Sequence, residues 1–471
     1  MFIGLDKNGE VPIKKQLYDT ITFKILNGEL AKGDKLPSTR ELADKLGIAR
    51  NTVIEIYEQL VSEAYLEAFC GKGTFVSGGR EGIAVNDILP APGVKGSFGC
   101  LNDNDRIDFA SGVPDLKSFP RKAWLRALKE SLEEAEAIEF GYGSVLGYQP
   151  LRESLSRYLL RYKGIRCTPG QIVIVNGTSD ALNLCALLFQ KSERELMVES
   201  AVVSFVPDIF RIFGYNIKPL ETDQYGLCTK DLSETGGGLI FCSPSHQFPL
   251  GGTLSIERRL QLADYARAHS HYIIEDDYNS EFMYTGAQVN SLFQLAPENV
   301  IHMGTFSKAL APFLRLGYMV VPAEMVPGVK ELQSHLCRRV NMHDQMALNY
   351  LFQQGIYVKH VAAMCKRYKR KMRCIVDALK SEFGEGIDIY GTSSGLHIAV
   401  AFSEPLFDAG STSVFLGHKV MVDQLTDYMI EKQNKCDTLI LGFGNLDESM
   451  IAEGIKRLKA AVSEMGARHD T

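Results

Sequence analysis

Residues 304–318 read Gly304-Thr305-Phe306-Ser307-Lys308-Ala309-Leu310-Ala311-Pro312-Phe313-Leu314-Arg315-Leu316-Gly317-Tyr318, directly after the apolar run Val300-Ile301-His302-Met303. A lysine that follows a buried strand sits where its amine can lose its charge, and only the neutral amine attacks an aldehyde. Small hydroxyl side chains flank Lys308, and Arg315 adds a fixed cation downstream. Hydroxyls and an arginine beside such a lysine point to a phosphorylated aldehyde as its partner.

Three more segments converge on that ligand. Val173-Ile174-Val175-Asn176-Gly177-Thr178-Ser179-Asp180 is a strand, then a small-residue turn that opens a helix, Ala181-Leu182-Asn183-Leu184. Backbone amides and the positive end of the helix dipole suit a phosphate there. Ile273-Ile274-Glu275-Asp276-Asp277-Tyr278 sets carboxylates and a phenol at the carboxyl end of a buried strand, where α/β sheets place their ligands. A carboxylate at that point can pair with a protonated ring nitrogen while the phenol meets a ring oxygen. The loop Cys242-Ser243-Pro244-Ser245-His246-Gln247-Phe248-Pro249-Leu250-Gly251 offers a further ring contact through His246.

Upstream the pattern changes. Leu17, Ile21, Ile25 and Leu26 repeat at helical spacing, and Ser38 with Glu41 three residues on forms a capping box for a helix that ends at Gly47. A second helix opens near Asn51, followed by the Gly-tipped pair Tyr65-Leu66-Glu67-Ala68 and Gly71-Lys72-Gly73-Thr74-Phe75-Val76. Two short helices, a turn and a hairpin spell a winged helix-turn-helix over residues 1–78. Residues 79–105, rich in Gly, Pro, Asn and Asp, read as a linker, and from residue 106 to 471 strands alternate with amphipathic helices as in a parallel α/β sheet.

The chain has 471 residues, 45% hydrophobic and 23% charged, which suits a multidomain globular protein and excludes disordered and collagen-like classes. Its net charge of -6 means that a nucleic acid would be held by a local surface only, and within residues 1–78 ten Lys and Arg face eleven Asp and Glu. The ten cysteines form no C-x-x-C pair and no zinc-spaced cluster, so reduced thiols and no metal are expected. The first residues lack a secretory pattern, and no apolar run reaches the roughly 18 residues of a membrane span, so a cytoplasmic location is expected.

The spacing of Pro37-Ser38-Thr39-Arg40-Glu41-Leu42-Ala43 from Arg50-Asn51-Thr52-Val53 resembles the GntR family of winged-helix regulators. That resemblance implies contacts to double-stranded operator DNA by Ser38, Arg40, Arg50, Asn51, Thr52, Lys72 and Gly73. The segments around Gly177, Asp276 and Lys308 resemble fold-type I aminotransferases. This implies an α/β domain with a mainly parallel sheet, a smaller α/β subdomain, and pyridoxal 5'-phosphate as cofactor. Lys308 is then the Schiff-base lysine, Asp276 the partner of the pyridine nitrogen and Tyr278 the phenol at the 3-oxygen. Gly177, Thr178, Ser179, Thr305, Ser307 and Arg315 surround the phosphate, and Ser111-Gly112-Val113-Pro114-Asp115 lies near the substrate.

The two modules in one chain resemble the MocR-type regulators. The resemblance implies a domain-swapped homodimer that senses an amine or amino-acid effector by aldimine exchange at Lys308. A working aminotransferase with a docking appendage, and a sensor of the cofactor itself, remain the alternatives. Three departures stand out. Ala49 replaces a common Ser or Thr; Glu199-Ser200-Ala201-Val202-Val203-Ser204-Phe205 lacks the usual ring-stacking tyrosine, leaving Val203 or Phe205 to cover the ring; and Asn434 to Gly444 contains no arginine for a substrate carboxylate. Lys435 or the neighbourhood of His397 could take that last role.

Overall fold

The computed structural model describes residues 12–69, 71–77, 105–190, 195–232, 238–286, 290–336 and 339–469. It divides into two compact units, Met1–Asn102 and Asp103–Thr471. Of the expected linker, residues 79–104 lie outside the described residues. Asp105, counted with that linker in the sequence, is anchored to the second unit by Arg457 and Lys419.

In the first unit, α1 (Ile13–Leu26), α2 (Thr39–Leu46) and α3 (Arg50–Ser62) precede a hairpin of β1 (Leu66–Phe69) and β2 (Gly73–Val76). Helical spacing brings Leu17 and Ile21 of α1 against Leu42 of α2, Val53, Ile56 and Leu60 of α3, and Leu66 and Val76 of the hairpin, in one buried cluster. Ser38 caps α2, its hydroxyl accepting from the Glu41 amide at 3.2 Å. Gly47 ends α2 in the left-handed conformation, φ 61°, which lets the chain turn sharply into α3.

The second unit is built on seven strands: β3 (Ile172–Val175), β4 (Glu195–Glu199), β5 (Asn216–Leu220), β6 (Gly238–Cys242), β7 (His271–Asp277), β8 (Val300–Thr305) and β9 (Gly317–Val320). Their order across the sheet is β3-β9-β8-β7-β6-β4-β5. All pairings are parallel except those of β9, which runs against both neighbours. Alternate residues divide between two cores: Ile172, Ile174, Ile240 and Ile273 on one face, Val173, Val175, Leu239 and Ile274 on the other. Both faces are covered, which is why these strands read as unbroken apolar runs.

A second, antiparallel sheet carries β10 (Ile387–Tyr390), β11 (His397–Phe402), β12 (Asp423–Gln424) and β13 (Thr438–Gly442), in the order β10-β11-β13-β12. Among the described residues, no helix is long and apolar enough to cross a membrane.

Candidate functional site

A cavity of about 410 Å³ opens where the carboxyl ends of β6, β7 and β8 meet the start of the helix Thr178–Leu188. Lys308 stands three residues beyond β8 and lines it. Burial pulls the Lys308 amine down from its usual 10.5 to about 8, while the charge of Asp276 works the other way. Its Nζ donates to the Gly112 carbonyl. Gly112 has φ +74°, a left-handed conformation that favours glycine, and a Cβ there would sit 2.9 Å from Nζ.

Strand alternation separates the neighbouring aspartates. Asp277 turns into the protein, where Lys163 binds it at 2.8 Å and also binds Glu281 at 2.9 Å. Asp276 lines the cavity, and its Oδ1 is sealed from solvent without a hydrogen-bond partner. Burial, reinforced by the charge of Asp277, pushes the Asp276 carboxyl up to about 7. Tyr278 also lines the cavity and donates to the His246 carbonyl at 3.0 Å. Burial, with the charge of Asp276 behind it, holds its phenol well above the usual range, so it stays protonated.

Gly177, Thr178, Ser179, Thr305, Ser307 and Arg315 line the opposite end. Gly177 caps the helix with φ 86° and offers no side chain to the amides of its first turn. The Arg315 guanidinium donates to the Asn176 carbonyl at 3.0 Å and lies 3.4 Å from where a Gly177 Cβ would be. Arg315 itself holds φ 49°, a left-handed conformation that costs a non-glycine residue about 1 kcal/mol. Such strain is characteristic of functional positions. The Thr305 hydroxyl accepts from the Ser307 amide at 3.1 Å and donates to the Ser307 hydroxyl at 3.0 Å.

Nine of the residues expected around the ligand therefore share one cavity. His246 does not join them. Its ring is buried at 3.0 Å from the Ser394 hydroxyl and packs edge-on against His397, and only its carbonyl serves the site, through Tyr278. Ser111, Gly112, Val203 and Phe205 line the cavity, whereas Lys435 and His397 do not. Burial drops His397 to about 4, so it is neutral near pH 7. Phe248 and Tyr428 also line the cavity, and neither carries a sequence signal for that role. Glu199, fully buried nearby, is pushed by that burial up to about 8, with Oε2 unpartnered.

In the first unit Arg50 and Asn51 are exposed at the start of α3, with Thr52 half-buried behind them. The helix begins at Arg50, one residue before the expected Asn51. Ser38 and Arg40 lie at the start of α2, and Lys72 and Gly73 are exposed at the hairpin tip, Gly73 with φ +110°. These positions suit phosphate and base-edge contacts made from helix N-termini.

Residues 13–76 match the bacterial regulatory proteins of the gntR family, and residues 104–433 match aminotransferases of class I and II. Over 459 residues the chain is 33% identical to the uncharacterized HTH-type transcriptional regulator YdeL of Bacillus subtilis (strain 168), covering 97% of this chain and 98% of that protein. It is 31% identical to the probable rhizopine catabolism regulatory protein MocR of Rhizobium meliloti, over 97% of this chain and 95% of the other. The chain belongs to the MocR-type transcriptional regulators. This regulator also resembles the kynurenine aminotransferase of Pyrococcus horikoshii, solved with PMP and kynurenine, at a TM-score of 0.70 and 26% identity over 77% of this chain and 91% of that one.

The cofactor of the MocR-type aminotransferase domain is pyridoxal phosphate, and the residues present fit it. The unpartnered Asp276 Oδ1 matches a protonated ring nitrogen. Thr178, Ser179, Thr305, Ser307 and Arg315, lining the cavity at the start of the helix that Gly177 caps, match a phosphate. The lowered Lys308 amine matches an aldehyde.

Proposed function

We propose that this regulator senses a primary amine or amino acid at the Lys308 cavity and transmits binding to the winged helix. Pyridoxal phosphate, when bound, supplies an aldehyde that condenses with primary amines. Lys308 would provide the neutral amine that holds it, and Asp276 Oδ1 would accept a hydrogen bond from the protonated ring nitrogen. Tyr278, oriented by the His246 carbonyl, meets the ring oxygen. Gly177, Thr178, Ser179, Thr305, Ser307 and Arg315 grip the phosphate, while Val203 and Phe205 cover the ring. An effector amine bound in the cavity would take the place of the Lys308 amine, and the freed lysine would be the local signal. For that signal to reach DNA, the effector must bind one arrangement of the protein better than another.

Ser38, Arg40, Arg50, Asn51, Thr52, Lys72 and Gly73 make the operator contacts, in a cytoplasmic homodimer that exchanges its winged helices. Support for self-association comes from Ile138, Phe140 and Tyr142, which are 81%, 63% and 90% exposed on one short segment. The observation that carries the sensing reading is Lys308 in the same cavity as the unpartnered Asp276 carboxylate.

The test is the near-visible absorbance of the purified full-length protein loaded with cofactor. Lys308→Ala should lose the band while the protein stays folded, and effector amines should shift the wild-type band and change its affinity for DNA selected from a random pool. Many turnovers of an amino donor with a keto-acid acceptor would instead make the protein an enzyme.

A further inference from the structure

Beyond the cofactor grip, the cavity wall is formed by Val203, Phe205, Val206, Phe248, Ser111 and Tyr428. Two of these carry hydroxyls, and Asp423 stands behind both. Ser111 Oγ donates to Asp423 Oδ2 at 3.1 Å, Tyr428 OH donates to the same oxygen at 2.6 Å, and the two hydroxyls are 3.0 Å apart. In this arrangement Asp423 draws the hydroxyl protons of both groups, so the lone pairs of Ser111 and Tyr428 are what they have left to offer a ligand. The cations that one protomer contributes to the cavity lining are Lys308 and Arg315, at the aldehyde and phosphate ends.

A ligand carboxylate placed against this wall would have to draw a proton away from Asp423 and would meet a like charge directly behind the hydroxyls. A ligand ammonium or hydroxyl would find two acceptors backed by a negative charge, on an otherwise apolar surface. Resting on the sensing reading above, we infer that the effector is a diamine or amino alcohol: a primary amine whose second polar group donates hydrogen bonds, with no carboxylate. Its reacting nitrogen approaches Lys308, its carbon body packs on Val206 and Phe248, and its far group meets Ser111 and Tyr428.

The full-length, cofactor-loaded protein is titrated with butane-1,4-diamine, 4-aminobutan-1-ol and 4-aminobutanoate, and with 2-aminopropan-1-ol against alanine. Both the absorbance and the thermal unfolding midpoint are followed. The carboxylate-free member of each set should half-saturate at least about tenfold lower, the difference expected for one hydrogen bond to a charged group. Asp423→Asn should reduce the diamine's advantage by about tenfold while affecting the amino alcohol less. Tyr428→Phe, which keeps the aromatic body, should reduce the advantage of both and serves if the Asp423 variant does not fold.

Amino acids acting at equal or lower concentration than their carboxylate-free partners would overturn this inference and leave amine sensing intact. Unchanged preferences in both variants would also overturn it. A protein that responds to none of the five ligands overturns the sensing reading and this inference with it.

Discussion

Asp276→Asn separates what the cofactor asks of this side chain from what the fold asks of it. Burial holds the Asp276 carboxyl at about 7 against an ordinary 3.8, with Asp277 adding to the effect and Lys308 opposing it. Because the folded value is raised, the unfolded chain ionises first. Stability is fully present below pH 4 and is lost as pH rises towards 7, after which the deficit is constant. One pH unit of displacement corresponds to about 1.4 kcal/mol, which for this group at the cavity wall, discounted for solvent screening, gives a penalty on the order of 3 kcal/mol at alkaline pH. Asparagine carries no such penalty. Losing the Asp276 charge also lowers Lys308 below its present value of about 8, so near pH 8.5 that amine is largely neutral and adds little. The cofactor-free Asp276→Asn variant should therefore exceed wild type by a few kcal/mol near pH 8.5 and match it near pH 4. Its hold on pyridoxal phosphate should weaken about tenfold or more through loss of one charge-assisted bond. Urea unfolding followed by Trp124 reads the first effect, because this single tryptophan is buried in the second unit. An Asp276→Asn variant no more stable than wild type at alkaline pH would refute the assignment of a buried, unpaired charge.

Lys163→Met should destabilise the second unit by about 3–5 kcal/mol, since it strands Asp277 and Glu281 in the interior. Despite burial, Lys163 and His302 hold Asp277 below the ordinary carboxylate range, so the loss should be greatest near neutrality and shrink as acid protonates the stranded group. Urea midpoints at several pH values check both size and trend. Arg50→Ala should weaken operator binding and flatten the plot of log affinity against log salt by about 0.9, the share of one phosphate contact. Gly112→Ala should slow cofactor capture, measured as the rate of absorbance growth, because the added methyl meets Lys308 Nζ in a left-handed backbone.

The helix-turn-helix and the parallel strands are legible in the sequence because each is a local pattern. Ser38 and Gly47 mark the ends of α2 chemically, and runs such as Ile172–Val175 are apolar throughout because each alternate residue meets its own core. The reversed direction of β9 is not legible. Nothing in Gly317-Tyr318-Met319-Val320 encodes orientation; it is set by the turn at Pro312–Arg315, and β9 packs so closely that a Cβ on Gly317 would sit 3.0 Å from the Gly304 carbonyl oxygen and 3.1 Å from the Gly177 Cα. The four-stranded antiparallel sheet is equally hidden, because β12 is only two residues long and pairs with a strand fourteen residues downstream.

The site divides in the same way. Its cofactor half is written in three short segments, and even the choice between Asp276 and Asp277 follows from strand alternation once β7 is in place. His246 misleads because a sequence shows a side chain while the structure uses the main-chain carbonyl. The wall proposed to meet the effector is invisible because Ser111 meets Asp423 and Tyr428 across 312 and 317 positions of chain. This division has a functional consequence. The cofactor grip draws on residues 177–179, 276–278 and 305–315, whereas the proposed effector wall draws on Ser111, Val203, Phe205, Val206, Phe248 and Tyr428 with Asp423 behind them. On the proposed reading, altering Asp423 would therefore change which effector this regulator takes without disturbing the residues that hold the cofactor at Lys308.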